Sequence, residues 1–78
     1  MVCLAAEQGY ADGQLMLGAS YKFGEGVPQD YVLAHMWFNL AAANGNVVAI
    51  EARNRIAASM TPEQIAEAQK LARKWKPK

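Results

Sequence analysis

Catalytic chemistry needs reactive side chains in company, so the first matter is which groups in this chain have any. His35 is its single histidine. With Glu51 or Asp30 it could make a general acid–base pair or half of a metal site. One imidazole without a second His or Cys falls short of a metal's ligand set, so no metal residue is expected. His35 is placed instead on the polar edge of a helix, beside Val32 and Asn39, where His35→Ala should be nearly neutral. Cys3 is the only cysteine, which excludes an intrachain disulfide, and no histidine lies near it in sequence to activate it. Ser20 and Ser59 lack the glycine-flanked turn of a nucleophile elbow. Glu63 and Glu67 resemble a carboxylate pair, yet acids in the first turns of a helix are accounted for by its positive end. Gly24-Glu25-Gly26 has a GxG pattern without a preceding strand or a following Lys-Ser/Thr, so it predicts a turn and not a phosphate cradle. The reading is a non-enzyme with no catalytic or cofactor-binding residues.

Bulk composition narrows the class further. Seventy-eight residues make one domain at most. A hydrophobic content of 53% and a charged fraction of 19% suit a packed core and not a self-repelling disordered chain. The formal net charge is only +1, too little for a field that steers nucleic acid or an anionic membrane. Lys70, Arg73, Lys74, Lys76 and Lys78 crowd the C-terminal end, where cations suit the last carbonyls of a helix. Only Trp75 near them offers a stacking face, so no nucleic-acid partner is expected. The opening Met1-Val2-Cys3-Leu4-Ala5-Ala6 lacks a basic segment and a long apolar run, so it predicts no signal peptide. No stretch reaches membrane-spanning length, and membrane insertion is not expected. The compartment stays open, cytoplasm and periplasm included.

The elements that would position these residues follow from an internal repeat. Leu4-Ala5-Ala6-Glu7-Gln8-Gly9 returns as Leu40-Ala41-Ala42-Ala43-Asn44-Gly45 at a spacing of 36 residues, and Leu33-Ala34 with Trp37 returns as Leu71-Ala72 with Trp75 at 38. A period in the thirties, rich in Ala and Leu and punctuated by Gly, predicts stacked helix-turn-helix units, each too small to bury its own apolar face. About four helices are expected. The first spans Ala11 to Phe23, stopped by the Gly24–Pro28 turn. The second runs from Asp30 to Ala43 and is closed by Gly45. The third covers Val47 to Ser59 or Met60. Thr61 and Gln64 then form a capping box with Pro62 in the first turn, opening a fourth helix to about Trp75, before Pro77. Its Ile65, Ala68, Ala72 and Trp75 make a core stripe. The second helix is apolar on most sides and needs several neighbours, with Gly18 and the alanines leaving room for the ring of Trp37. Tyr21, Phe23, Tyr31, Trp37 and Phe38 have helical spacing and predict core packing, not a ligand cage.

These residues resemble the Sel-one-like repeat family, a relative of the tetratricopeptide repeat with a longer glycine-marked turn. The matching residues are Ala5-Ala6-Glu7-Gln8-Gly9-Tyr10-Ala11-Asp12, Leu17-Gly18, Tyr21, Gly24-Glu25-Gly26-Val27-Pro28-Gln29-Asp30, Ala34, Trp37, Ala41-Ala42 and Gly45. The second unit departs from the pattern, with Arg53-Asn54 in place of Leu17-Gly18 and Met60-Thr61-Pro62 in place of Gly24-Glu25-Gly26. The resemblance implies an all-α fold, an α/α superhelix (solenoid) of antiparallel helix pairs. Residues 1–9 would be the tail of a preceding repeat helix, 10–45 one full repeat and 46–78 a C-terminal capping pair.

It also implies a binding surface on the first helix of each pair, with Asp12, Leu15, Ala19 and Lys22 facing Val48, Glu51, Arg55 and Ala58 along an inner wall. The expected partner-binding residues are Leu15 as apolar floor and Lys22, Glu51 and Arg55 as polar selectors. The expected function is a non-catalytic scaffold or adaptor that binds a protein or peptide. One alternative is a structural cap, or a domain-swapped homo-oligomer formed through an open N-terminal face. The other is a repeat protein associated with cell-envelope enzymes, although the relatives linked to that chemistry are cysteine-rich and this chain is not.

Overall fold

The computed structural model describes residues 2–77, with side chains from Ala5 onward. Lys78 and the side chains of Cys3 and Leu4 lie outside the described residues. Among the described residues five helices follow one another: α1 (Val2–Glu7), α2 (Ala11–Phe23), α3 (Tyr31–Ala43), α4 (Val47–Ala57) and α5 (Pro62–Lys74). No strand occurs among the described residues.

Local chemistry sets most of the boundaries. Gly24, in the left-handed region at φ 69°, ends α2, where a side chain would be strained. The Asp30 carboxylate caps α3 by accepting from the Leu33 N–H at 3.1 Å, and Asn46 caps α4 by accepting from the Ala49 N–H at 3.1 Å. The expected box opens α5: Gln64 N–H donates to the Thr61 hydroxyl at 3.1 Å and Thr61 N–H donates to Gln64 Oε1 at 2.9 Å. α4 stops two to three residues sooner than the apolar pattern suggests. The Ser59 and Met60 N–H groups reach back only three residues, to Ile56 and Ala57 at 3.0 and 3.1 Å, a tightened final turn. That turn brings Met60 into the core and frees Thr61 to cap.

α3 lies at the centre, packed against α2, α4 and α5, while α1 packs against α2. Paired residues give the directions. Asp30 N–H bonds the Tyr21 carbonyl, Gly18 abuts Phe38 and Ala34, and Asn44 bonds Gln14, so α2 and α3 run antiparallel. Asn39 accepts from Arg53 near the middle of both α3 and α4, whereas Ala34 and Ile56 share a cluster nearer the other end, again antiparallel. α5 runs parallel to α3, since Tyr31 and Gln64, at the starts of both helices, border one cavity, and Trp37, midway along α3, meets Trp75 at the end of α5.

Two apolar clusters hold these helices. One joins Ala34, Phe38, Ile56, Met60 and Ala68; the other joins Ala6, Leu17, Met36 and Trp37 with half-buried Leu71, Ala72 and Trp75. The two tryptophan rings meet edge to face, centroids 5.6 Å apart at 74°, a favourable arrangement of ring quadrupoles. The expected stripe of α5 is therefore core. Gly18, however, makes room for Phe38 and not for Trp37: a Cβ there would lie 2.6 Å from the Phe38 ring. Phe23, expected inside, is 64% exposed, because it sits at the last position of α2 on a side that no other helix covers.

Candidate protein-binding surface

The four expected partner-binding residues lie on α2 and α4. Lys22, Glu51 and Arg55 converge with Val48 and Ala52 on a groove of about 120 Å³ between the two helices. No ion pair among the described residues ties these three charges to one another. Lys22 Nζ instead lies 5.1 Å from the centre of the Phe23 ring, within cation–π reach. Leu15 does not line this groove; it is half-buried and packs on the cluster of Ala34, Phe38 and Ile56.

A second hollow, about 440 Å³, opens at the other end of the same two helices, bordered by Ala11, Asp12, Val47, Val48 and the Asn44–Asn46 turn. Asn46 Nδ2 donates to Asp12 Oδ1 at 3.2 Å across it. Val48 borders both hollows. Behind this end stands a buried clamp absent from the sequence expectations. Gln14, fully buried, donates to the Ala6 carbonyl at 3.4 Å and accepts from Asn44 Nδ2 at 2.9 Å, and Asn44 also reaches the Gly9 carbonyl at 3.2 Å. The available signal was an amide at a position that the helical period of Gly13, Leu17 and Gly18 puts on the inner face.

His35 corrects an expectation. It is buried at 3% exposure, not on a solvated edge, and its Nδ1 has no hydrogen-bond partner among the described residues. Burial, and secondarily the positive charge of Arg53, lower its pKa below the usual histidine value. Arg53 is held in place by donating to Asn39 Oδ1 at 3.0 Å. His35→Ala therefore removes a buried ring and leaves space behind it, so the substitution cannot be neutral.

No group of three or more His, Cys, Asp or Glu side chains suited to a metal ion occurs among the described residues. No helix among them is long and apolar enough to cross a membrane.

Comparison with known proteins bears on the same segment. Residues 11–46 match the family model described as Sel1 repeat, the stretch that holds α2, the glycine turn and α3. A comparison with curated proteins gives no match.

Proposed function

The chain carries a Sel1 repeat over residues 11–46, which makes it a Sel1-like repeat protein, and on that premise we propose that it is a scaffold that binds a protein partner on the surface formed by α2 and α4. Sel1 repeats generally mediate protein–protein interaction, and the family is typically non-catalytic. On this reading the helices belong to a short α/α superhelix, with α4 and α5 both packed on α3. Pairs related by about one repeat do touch: Asn46 bonds Asp12, 34 residues away, and Asn44 bonds Gly9, 35 residues away.

The observation that carries the proposal is the convergence of Lys22, Glu51 and Arg55 on one groove. Three charges without internal ion pairs, beside apolar Val48 and Ala52, offer a partner both selectivity and area. The test is affinity capture with the intact chain and with a Lys22→Ala, Glu51→Ala, Arg55→Ala triple variant. Glu51 and Arg55 are exposed and Lys22 is half-buried outside both apolar clusters, so the melt should be largely preserved. Captured partners should fall at least tenfold for the variant; equal capture at equal stability would refute the assignment.

One observation favours a second reading. Met16 and Phe23, seven residues apart and therefore on one stripe of α2, are 55% and 64% exposed. They would make the apolar centre of a self-association through the N-terminal face. Sedimentation over a range of concentrations separates the two readings, since a monomer throughout removes the second.

A further inference from the structure

We infer that the tail after α5, Trp75 to Pro77, is a strap that grips the α1–α2 turn and, through Asn44, sets the hollow beside Asp12 and Val47. α5 ends at Lys74, and Trp75 leaves it in extended backbone at φ −71° and ψ 140°. The chain then crosses to the turn at Gly9, which holds φ 92°. A Cβ on Gly9 would stand 3.7 Å from Pro77 Cγ, 3.9 Å from Pro77 Cβ and 4.0 Å from Trp75 Cη2, so the tail lies within van der Waals reach of the turn.

The same turn is held a second time, from the α3–α4 turn. The Gly9 carbonyl accepts from Asn44 Nδ2 at 3.2 Å, and that amide also donates to Gln14 Oε1 at 2.9 Å. Asn44 borders the hollow with Ala11, Asp12, Val47 and Val48. Two contacts therefore join strap to hollow: Pro77 on Gly9, and Gly9 on Asn44. Tyr10, next to Gly9, is the N-cap residue of α2, so a moving turn also moves Asp12 in the first turn of that helix, and with it the bond to Asn46. The strap itself is lightly held. The Trp75 ring anchors it edge-on against Trp37, and the Trp75 N–H reaches the Ala72 carbonyl at 3.3 Å. Beyond that, no backbone hydrogen bond ties Lys76 or Pro77 among the described residues, and both are exposed. Such a segment opens at a lower free energy than the whole fold. Lifting it frees the Gly9 turn and Asn44; docking it fixes the hollow, so occupancy of the hollow and docking of the strap favour each other. The coupling is a property of the fold, and its effect on a partner rests on the scaffold reading.

Amide hydrogen exchange of the full chain tests this in Trp75→Ala and in Pro77→Gly, the second of which touches neither apolar cluster. In both, the Tyr10 and Asn46 N–H groups, bonded to the Ala5 and Ala41 carbonyls, should exchange about tenfold faster, and the Asn44 side-chain protons should shift toward their free-amide position. The Ala34 and Ile65 N–H groups, at the starts of α3 and α5, should keep their native rates. Partner capture should fall about threefold in either variant. Asn44→Ala should lose as much, with no further loss when Trp75→Ala is added. Native rates at Tyr10 and Asn46 in both variants would overturn the inference. So would an acceleration shared equally by Ala34 and Ile65, since Trp75 would then only add bulk to the core, and so would altered exchange with unchanged capture. Capture that ignores the Lys22, Glu51 and Arg55 triple substitution refutes the scaffold reading instead, and the exchange rates still decide the strap.

Discussion

At the scale of single residues, His35 shows how burial changes a side chain's meaning. An imidazole between apolar helices with an unsatisfied Nδ1 disfavours the charged form, and Arg53 adds to that effect. The folded chain therefore binds fewer protons than the unfolded chain below the usual histidine value of about 6.5. Stability is complete above that value and falls as the pH drops through it toward the lower folded value. Melting temperature measured from pH 7.5 to pH 5 should decline in the native chain, and His35→Leu should flatten the decline. A native profile no steeper than that of the variant would contradict this account. Sequence periodicity could not reveal the burial, because a histidine between Ala34 and Met36 fits a polar edge or a crowded interface equally well. The deciding fact is that α4 packs over that side of α3 and brings Arg53 to Asn39.

At the scale of the helices, the turns were the most legible features, because each depends on a few neighbouring residues. The Thr61-Pro62-Glu63-Gln64 box opens α5 as written, and Gly24 and Gly45 take the positive φ values that end helices. Thr61→Ala removes the hydroxyl that accepts from Gln64, and such caps are worth about 1 kcal/mol. A chemical denaturation midpoint should fall accordingly, while Thr61→Ser should retain most of the stability; no difference between the two would count against the cap. What was not legible is what depends on which helix lies opposite. Phe23 has the spacing of a core residue, yet no helix covers its side of α2. Gly18 was assigned to the wrong ring because Trp37 and Phe38 are adjacent on α3, and only the rotation of that helix decides which faces α2.

Across the whole molecule, packing and surface charge fall to different residues. Trp37, at 7% exposure, joins α1, α2 and α5 through Ala6, Leu17 and Trp75. Trp37→Ala should cost about 3–5 kcal/mol, a large share of the stability of so small a domain, which a thermal melt will show. The Lys22, Glu51 and Arg55 side chains, by contrast, sit outside both clusters and are left to meet a partner. Of the candidate site, sequence reasoning supplied the helix faces through the family pattern. It did not supply Val48's place at the border of both hollows, or Leu15's packing on the Ala34, Phe38 and Ile56 cluster instead of in the groove, because both depend on how the helices lie against one another. The most direct measurement is hydrogen–deuterium exchange of the intact chain with and without a captured partner. The account predicts added protection along residues 11–22 and 47–55, with α5 unchanged; protection confined to α5 and the C-terminal lysines, with α2 and α4 unaltered, would contradict it.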